Sequence, residues 1–451
     1  MYLKMTKRLF GFFILIAAVH AAVLFVAIPA LSSRLAPSYS QNRMADGYDL
    51  LADNLAAGNG YRFYPDTART LMREPGYPVF LAGLELAFGK SLVVVKIANM
   101  ILAFLTAWFM VLIVREMTPK ERTPGKLLLF GPPLLFLFYP GTLIAESRGG
   151  IEIAFALLLA AFIFTVYRAI KSDRWLDYVT CGAVLGLTVL FRSTPILFPL
   201  FLLAFLLYFE GRRVGRVVVC RNVSIIILAM LAVLSPWIVR NYSLTGKFIP
   251  TASVMGVSAQ AGQYINQHLF DGTPWWLLDR QASRERDAVA AKLGYPFEDG
   301  AAGYYQTFYN TIDEISFSQY LTADVVQKYK ESPLLLARCT GQNLINFWIA
   351  GKTWTATAMN AVLQLPYLAF AVIGAIYCFR NSQARAVSLL VLLIIYDMGV
   401  HAPILAQARY SISLMPFVSI LCTFGIVVAY RKAMKMANTT SLSAVSATAG
   451  I

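Results

Sequence analysis

Long apolar runs separated by short polar stretches rich in Lys and Arg set the pattern of this chain. A helix needs ~20 apolar residues to cross a hydrocarbon core ~30 Å thick. On that measure the pattern predicts ten spans, at about 9–31, 91–114, 127–140, 151–167, 176–191, 195–209, 222–239, 355–379, 386–404 and 410–430. The run at 127–140 is short, and Pro132 and Pro133 predict that it is bent or begins inside a cytoplasmic loop. Two long polar segments interrupt the alternation. The first, 32–90, holds a predicted helix from Ala45 to Ala57, a turn region rich in Gly, Tyr and Pro, and an apolar helix from Val79 to Phe88. That last helix is too short to span and is predicted to lie along the membrane interface. The second, 241–333, carries the pair Trp275-Trp276, a charged cluster from Asp279 to Asp287 and predicted short helices. Ser332 followed by Pro333 reads as an N-cap and first-turn proline, opening an interface helix that runs to Trp348.

The expected organisation is a first transmembrane helix over 1–31 and an outer loop over 32–90. Helices two to seven follow over 91–240, then an outer region over 241–354, three helices over 355–430 and a cytoplasmic tail over 431–451. Composition agrees with this. Of 451 residues 58% are hydrophobic and 14% charged, against about 25% charged in an ordinary soluble domain. The N-terminal apolar run is too long for a signal-peptide core and reads as an uncleaved first helix.

A net charge of +15 would suit a nucleic-acid binder, but its distribution excludes that reading. The basic residues stand at span ends, as in Lys4, Lys7 and Arg8, in Arg115, Lys120, Arg122 and Lys126, and in Arg168, Lys171 and Arg174. Arg212, Arg213, Arg216 and Arg221, then Arg380 and Arg385, then Arg431, Lys432 and Lys435 continue the series. Short basic loops stay cytoplasmic on insertion, and ten spans with both termini inside put every patch on that side. The charge encodes topology, with no nucleic acid as partner. Five cysteines without CxxC spacing and three scattered histidines give no metal-ligand pattern. No internal repeat of fixed period occurs, which counts against a transporter built from inverted repeats.

The outer face collects the ionisable groups. Asp46, Asp49 and Asp53 follow i, i+3, i+7 spacing, so one helical face can carry all three. The plain reading of such a trio is a solvated helix surface. Arg73-Glu74-Pro75-Gly76-Tyr77-Pro78 predicts a rigid turn where the chain meets the membrane. Glu146, Arg148 and Glu152 fall at the outer end of the fourth span, and Arg192 at that of the fifth. Ser235 to Tyr242, with Pro236, Trp237, Arg240 and Asn241, marks the exit of the seventh, and Arg409-Tyr410 opens the tenth. Each alone reads as an interfacial anchor. Together they place acids and arginines from distant segments at one depth on one face. A transferase using a phosphate-linked sugar needs that combination. A carboxylate takes the proton of the incoming acceptor, and arginines hold the leaving phosphate.

On these residues the chain resembles the GT-C glycosyltransferases. Asp46, Tyr48-Asp49, Asn54 and Gly58-Asn59-Gly60-Tyr61, then Arg73 with Pro75-Gly76-Tyr77-Pro78, look like the first outer loop of that superfamily. Bacterial membrane proteins similar to protein O-mannosyltransferases and to the lipid A aminoarabinose transferase come nearest. Tyr139-Pro140 before Glu152, Gly186-Leu187 before Arg192, Pro236-Trp237 before Arg240-Asn241-Tyr242, and Arg409-Tyr410 with Pro416 extend the likeness over about 44–416. The resemblance implies an all-α, GT-C type bundle of about ten spans with outer loops and interface helices. It implies sugar transfer, with inversion, from a polyprenyl-phosphate donor to a glycan, lipid or protein acceptor on the outer side of a bacterial plasma membrane. Membrane lipids are then partners too.

It further implies that Asp46, or else Asp49, is the general base, since the family's acid often stands one or two residues further ahead of the tyrosine, where this chain has Met44 and Ala45. Arg73, Arg409, Arg240 and Arg192 become candidate phosphate ligands. Glu152, Tyr77, Trp237 and Tyr410 become shapers of the substrate site. No metal ligand is assigned, and a divalent cation is left open as a cofactor. The competing readings are a lipid or polysaccharide transporter and a non-catalytic assembly subunit. A single outer cavity holding Asp46, Arg73 and Arg409 would favour the transferase.

Overall fold

The computed structural model describes residues 7–30, 45–118, 124–269, 271–298, 307–381 and 383–448. Lys4, Lys120, Arg122 and positions 32–44 of the first long segment lie outside the described residues. Among the described residues the fold is helical, with one small antiparallel ribbon that pairs Phe297–Glu298 with Thr307–Phe308. In chain order the helices are α1 (Lys7–Ala22), α2 (Tyr48–Ala56), α3 (Gly76–Phe88), α4 (Leu92–Met117), α5 (Lys126–Leu137) and α6 (Pro140–Ser147). Next come α7 (Ile151–Ser172), α8 (Trp175–Phe191), α9 (Phe198–Phe209), α10 (Arg216–Thr245), α11 (Met255–His268) and α12 (Trp275–Lys292). The last are α13 (Thr311–Glu331), α14 (Pro333–Ile349), α15 (Trp354–Phe379), α16 (Ala384–His401) and α17 (Met415–Thr448).

Among the described residues six helices are long and apolar enough to cross a membrane: α4, α7, α10, α15, α16 and the segment Ala408–Met434 that runs into α17. The pair α5–α6, bent by 49°, makes a seventh if it is one span. Shorter apolar helices at Ile14–Ala30, Trp175–Phe191 and Thr194–Phe209 occupy the three remaining predicted positions. The centre of the bundle falls to the most enclosed helices. The apolar window of Ala408–Met434 is 78% buried and that of α7 67%, whereas that of α15 is 22% buried and lies on the outside of the bundle. Close helix packing rests on small residues, as expected where lipid removes the hydrophobic drive for association. A Cβ at Gly182 or Gly186 of α8 would stand 2.3 Å from the Ile226 carbonyl or 2.9 Å from that of Met230 on α10.

Several sequence expectations change. The predicted helix over 45–57 begins only at Tyr48, because Asp46 takes a left-handed backbone (φ 74°, ψ 10°) just before it. The trio Asp46, Asp49, Asp53 therefore does not share one helical face. The bend near 127–140 falls between α5 and α6, after Leu137, while Pro132 and Pro133 sit within α5. Pro236 likewise sits inside α10, which continues to Thr245, so the Pro-Trp motif is not a helix exit. The second long segment forms longer helices than expected, α12 and α13 above all. The Ser332 N-cap is as expected: its hydroxyl accepts from the Leu335 N–H, with Pro333 in the first turn of α14.

Candidate active site

The first long segment enters the site through a turn held at several points. The Tyr61 hydroxyl donates to the carbonyls of Arg73 (3.1 Å) and Glu74 (3.0 Å). Glu314 of α13 accepts from the Thr70 hydroxyl at 2.6 Å, the Leu71 N–H at 2.9 Å and the Ser253 hydroxyl at 2.6 Å. Burial pushes its carboxyl pKa up, and these three donors and Arg240 oppose the shift. The Glu74 carboxylate accepts from the Ser193 N–H (2.9 Å), just past the end of α8. A side chain at Gly76 would strike the Phe191 ring at 2.4 Å and the Leu190 carbonyl at 2.8 Å, so only glycine lets α3 start this close to α8. The Tyr77 hydroxyl closes the arrangement by donating to the Gly149 carbonyl at 2.6 Å.

These contacts shape a cavity of about 360 Å³. The beginning of α7 at Ile151, the end of α8 at Arg192, the end of α16 at His401 and Arg409 before α17 all line it, so it lies at one pole of the bundle. The first long segment contributes Asp46, Tyr48, Arg73 and Glu74, the second contributes Trp275, Asp279 and Arg286, and Lys352 joins them from the stretch before α15.

Asp46 is the electrostatic centre. Its carboxylate lies 2.7 Å from Arg409 Nη2 and 3.4 Å from Arg73 Nη2. Burial raises its pKa, but the Arg409 and Arg73 guanidiniums, with Arg192 beyond them, outweigh that and hold it below the usual aspartate value. Arg73 is buried and its guanidinium lies 5.2 Å from the Tyr48 ring centroid. Arg192 sits 4.5 Å from the ring of Tyr410, which also meets the His401 imidazole at 4.6 Å and the Arg409 guanidinium at 5.5 Å. A cation–π contact of this kind holds a guanidinium in place without using its N–H groups.

Of the candidates read from sequence, Asp46, Arg73, Arg192, Arg409 and Tyr410 line this cavity and the others do not. Asp49 is half-buried on α2, and its charge acts on Lys90, which pairs with Asp53. Arg240 donates to the Thr70 carbonyl (3.1 Å) and stacks 4.4 Å from the Trp237 ring, which braces the turn from behind. Trp237 donates to the Thr251 carbonyl (2.7 Å). Tyr77 is fully buried against Tyr48, Phe80 and Phe191, and Glu152 is buried near the start of α7. Glu146 is buried against His20 at 2.9 Å, tying α1 to α6.

Glu74, Asp279, Arg286 and Lys352 were not singled out as site residues by the sequence, yet they line the cavity. The signal was present for two of them. Asp279 and Arg286 fall on the same stripe of α12 as buried Trp275, Leu278, Ala282 and Ala290. Among the described residues no three His, Cys, Asp or Glu side chains gather as a metal-ligand group.

Comparison with known proteins gives one partial family match and a shared fold. Residues 73–239 match the family model described as dolichyl-phosphate-mannose-protein mannosyltransferase, a stretch that includes Arg73, Glu152 and Arg192 and leaves out Asp46 and Arg409. The oligosaccharyltransferase AglB of Archaeoglobus fulgidus, solved with an inhibitory peptide and a dolichol-phosphate, aligns with a TM-score of 0.52 and 14% identity. That alignment covers 95% of this chain and 51% of AglB. A second structure of the Archaeoglobus fulgidus oligosaccharyltransferase, with Zn and sulfate, aligns at 0.49 and 15% identity, over 96% of this chain and 51% of the other. ArnT of Cupriavidus metallidurans bound to undecaprenyl phosphate gives 0.40 and 15%, over 92% and 78%. No curated protein matches the chain. The chain spans about half the length of the archaeal enzymes. The chain thus shares the membrane-helical fold of AglB, and its stretch 73–239 resembles the mannosyltransferase family.

Proposed function

We propose that this protein transfers a sugar from a polyprenyl-phosphate carrier to a glycan, lipid or protein acceptor, on the outer side of a bacterial plasma membrane. The observation that carries the reading is the meeting of Asp46, Arg73 and Arg409, residues far apart in sequence, at one cavity. In this reading the donor phosphate takes the N–H forks of Arg73 and Arg409, with Arg192 adding charge from the Tyr410 side. Those guanidiniums leave Asp46 as the phosphate takes them, and the freed carboxylate becomes a better base. The acceptor hydroxyl attacks the anomeric carbon from the face opposite the phosphate, and its proton passes to Asp46. The bond from the anomeric carbon to the phosphate oxygen breaks, and polyprenyl phosphate leaves with the electron pair, so the configuration inverts. The basic patches at span ends support the outer location, because they assign the opposite pole to the cytoplasm.

The test is purified protein in nanodiscs supplied with a panel of polyprenyl-phosphate sugars and an envelope extract as acceptor. Free polyprenyl phosphate should appear for at least one donor. Movement of intact donor between leaflets, with no carrier released, would establish a transporter instead.

A further inference from the structure

The cavity has a second wall that the proposed transfer chemistry leaves unused. It is one face of α12, on which Trp275, Asp279 and Arg286 follow i, i+4, i+11 spacing and all line the cavity. Asp279 is the informative residue. Its side chain is more than nine-tenths buried, yet it makes no hydrogen bond or ion pair with any other described residue. With no donor among the described residues, this carboxyl lines the cavity where a ligand would reach it. The indole N–H of Trp275, one turn earlier, is likewise buried without a partner among the described residues. Charged neighbours surround Asp279 without pairing to it: Arg286 on its own helix, Lys352, Arg409, and Asp46 across the cavity. Burial outweighs them and pushes its pKa up to about 6.

The wall offers an acceptor that needs a donor, an aromatic side chain, and cations set slightly apart. A phosphate is a poor occupant here, since the Asp279 carboxylate repels it. A polyhydroxylated ring suits the wall better, because its hydroxyls donate to a carboxylate and its apolar C–H face packs on an aromatic side chain. The geometry points to a carbohydrate subsite on α12, in which Asp279 accepts hydrogen bonds from sugar hydroxyls and Trp275 supplies the apolar platform. This rests on the proposed transferase reading and names the chemical class that meets the second wall. Donor sugar and acceptor sugar share that chemistry.

Saturation-transfer NMR on the full chain in nanodiscs, with a panel of neutral and amino methyl glycosides, reads the subsite without requiring turnover. At least one glycoside should show transfer to the wild-type protein. That signal should fall about tenfold or more in Asp279→Asn and in Trp275→Leu, as expected for losing a hydrogen bond to a charged group or a stacking surface. Both variants must elute and melt as folded protein, and Asp279→Asn is close enough in shape to serve if Trp275→Leu does not fold. Pre-loading with a polyprenyl-phosphate hexose separates the two sources. Loss of the glycoside signal assigns the wall to the donor sugar, and its retention assigns it to the acceptor. No glycoside signal in the wild type, or equal signals in all three proteins, overturns the subsite, even if carrier release shows the transferase reading to be right.

Discussion

Glu314 should prove necessary to the site without touching a substrate. Its carboxyl accepts from two hydroxyls and the Leu71 N–H, and it sits below the turn that presents Arg73. Glu314→Ala would orphan all three donors. Each buried unsatisfied donor costs about 1–3 kcal/mol. The two hydroxyls can turn toward other acceptors, whereas the backbone N–H cannot, and removing a buried carboxyl returns part of the loss. We expect a net destabilisation of about 2–4 kcal/mol on that reasoning. It should appear as a melting temperature lowered by several degrees and as faster amide exchange over residues 69–73. Donor affinity should fall with it, because Arg73 is carried by that turn. Glu314→Gln retains acceptors for two of the donors and should lose less than half as much.

The pH dependence follows from the raised pKa of Glu314 in the fold. The neutral carboxyl is the form the fold favours, so this contribution is complete below the unfolded value of about 4.3. It is lost as pH rises through the folded pKa. Wild-type stability should therefore decline over that interval relative to Glu314→Gln. A Glu314→Ala protein that melts within a degree of wild type, with unchanged exchange at 69–73, would refute the argument.

Four further outcomes are expected. Asp46→Asn should lower turnover by roughly 10²–10⁴, the usual cost of a lost general base, while Asp49→Asn stays near wild type; carrier release from both variants decides between the two acids. Arg73→Lys and Arg409→Lys keep the charge but lose the fork, so donor titration should show weaker affinity and slower transfer, and unchanged values would make both residues lipid anchors. Arg240→Lys should lower the melting temperature and leave donor affinity intact, since Arg240 holds the Thr70 carbonyl outside the cavity; a selective loss of donor binding would restore its assignment as a ligand. A cysteine at the exposed position Arg284 of α12 should label from outside intact cells, and labelling only after lysis would invert the topology.

Much of the bundle was legible because lipid imposes a simple rule. Every backbone group must be satisfied within its own helix, so apolar run length reports span position, and the helices from Leu92–Met117 to Ala384–His401 fall close to their predicted places. Arg192 and Arg409 were legible as site candidates because charge at a span end is conspicuous, and Arg73 because it heads a proline-fixed turn. What the sequence concealed depends on side-chain direction. Arg240 and Trp237 sit in the same kind of motif, yet α10 continues past them and turns both toward the backbone of the first segment. Tyr77 carries a functional-looking hydroxyl that is committed to a carbonyl. Asp279 looked like one member of a solvated cluster. Its burial depends on α12 packing against the Lys352 stretch, where the Trp276 N–H meets the Lys352 carbonyl, and that pairing is far apart in sequence.

The left-handed backbone at Asp46 limits what can stand there. Side chains with a Cβ enter this region at a cost of about 1–2 kcal/mol, and aspartate, asparagine and glycine are the residues that visit it readily. Of those three only aspartate carries a charge for Arg409 and Arg73. Alanine or glutamate at 46 would strain the turn as well as alter the chemistry, so a dead Asp46→Ala protein would say little about proton transfer. Mutational drift at this position has the same narrow range. The neighbouring substitutions that keep the turn are asparagine and glycine, and each should yield a folded protein that has lost its central charge. A relative carrying either residue here would be a natural experiment in holding the two guanidiniums without their carboxylate.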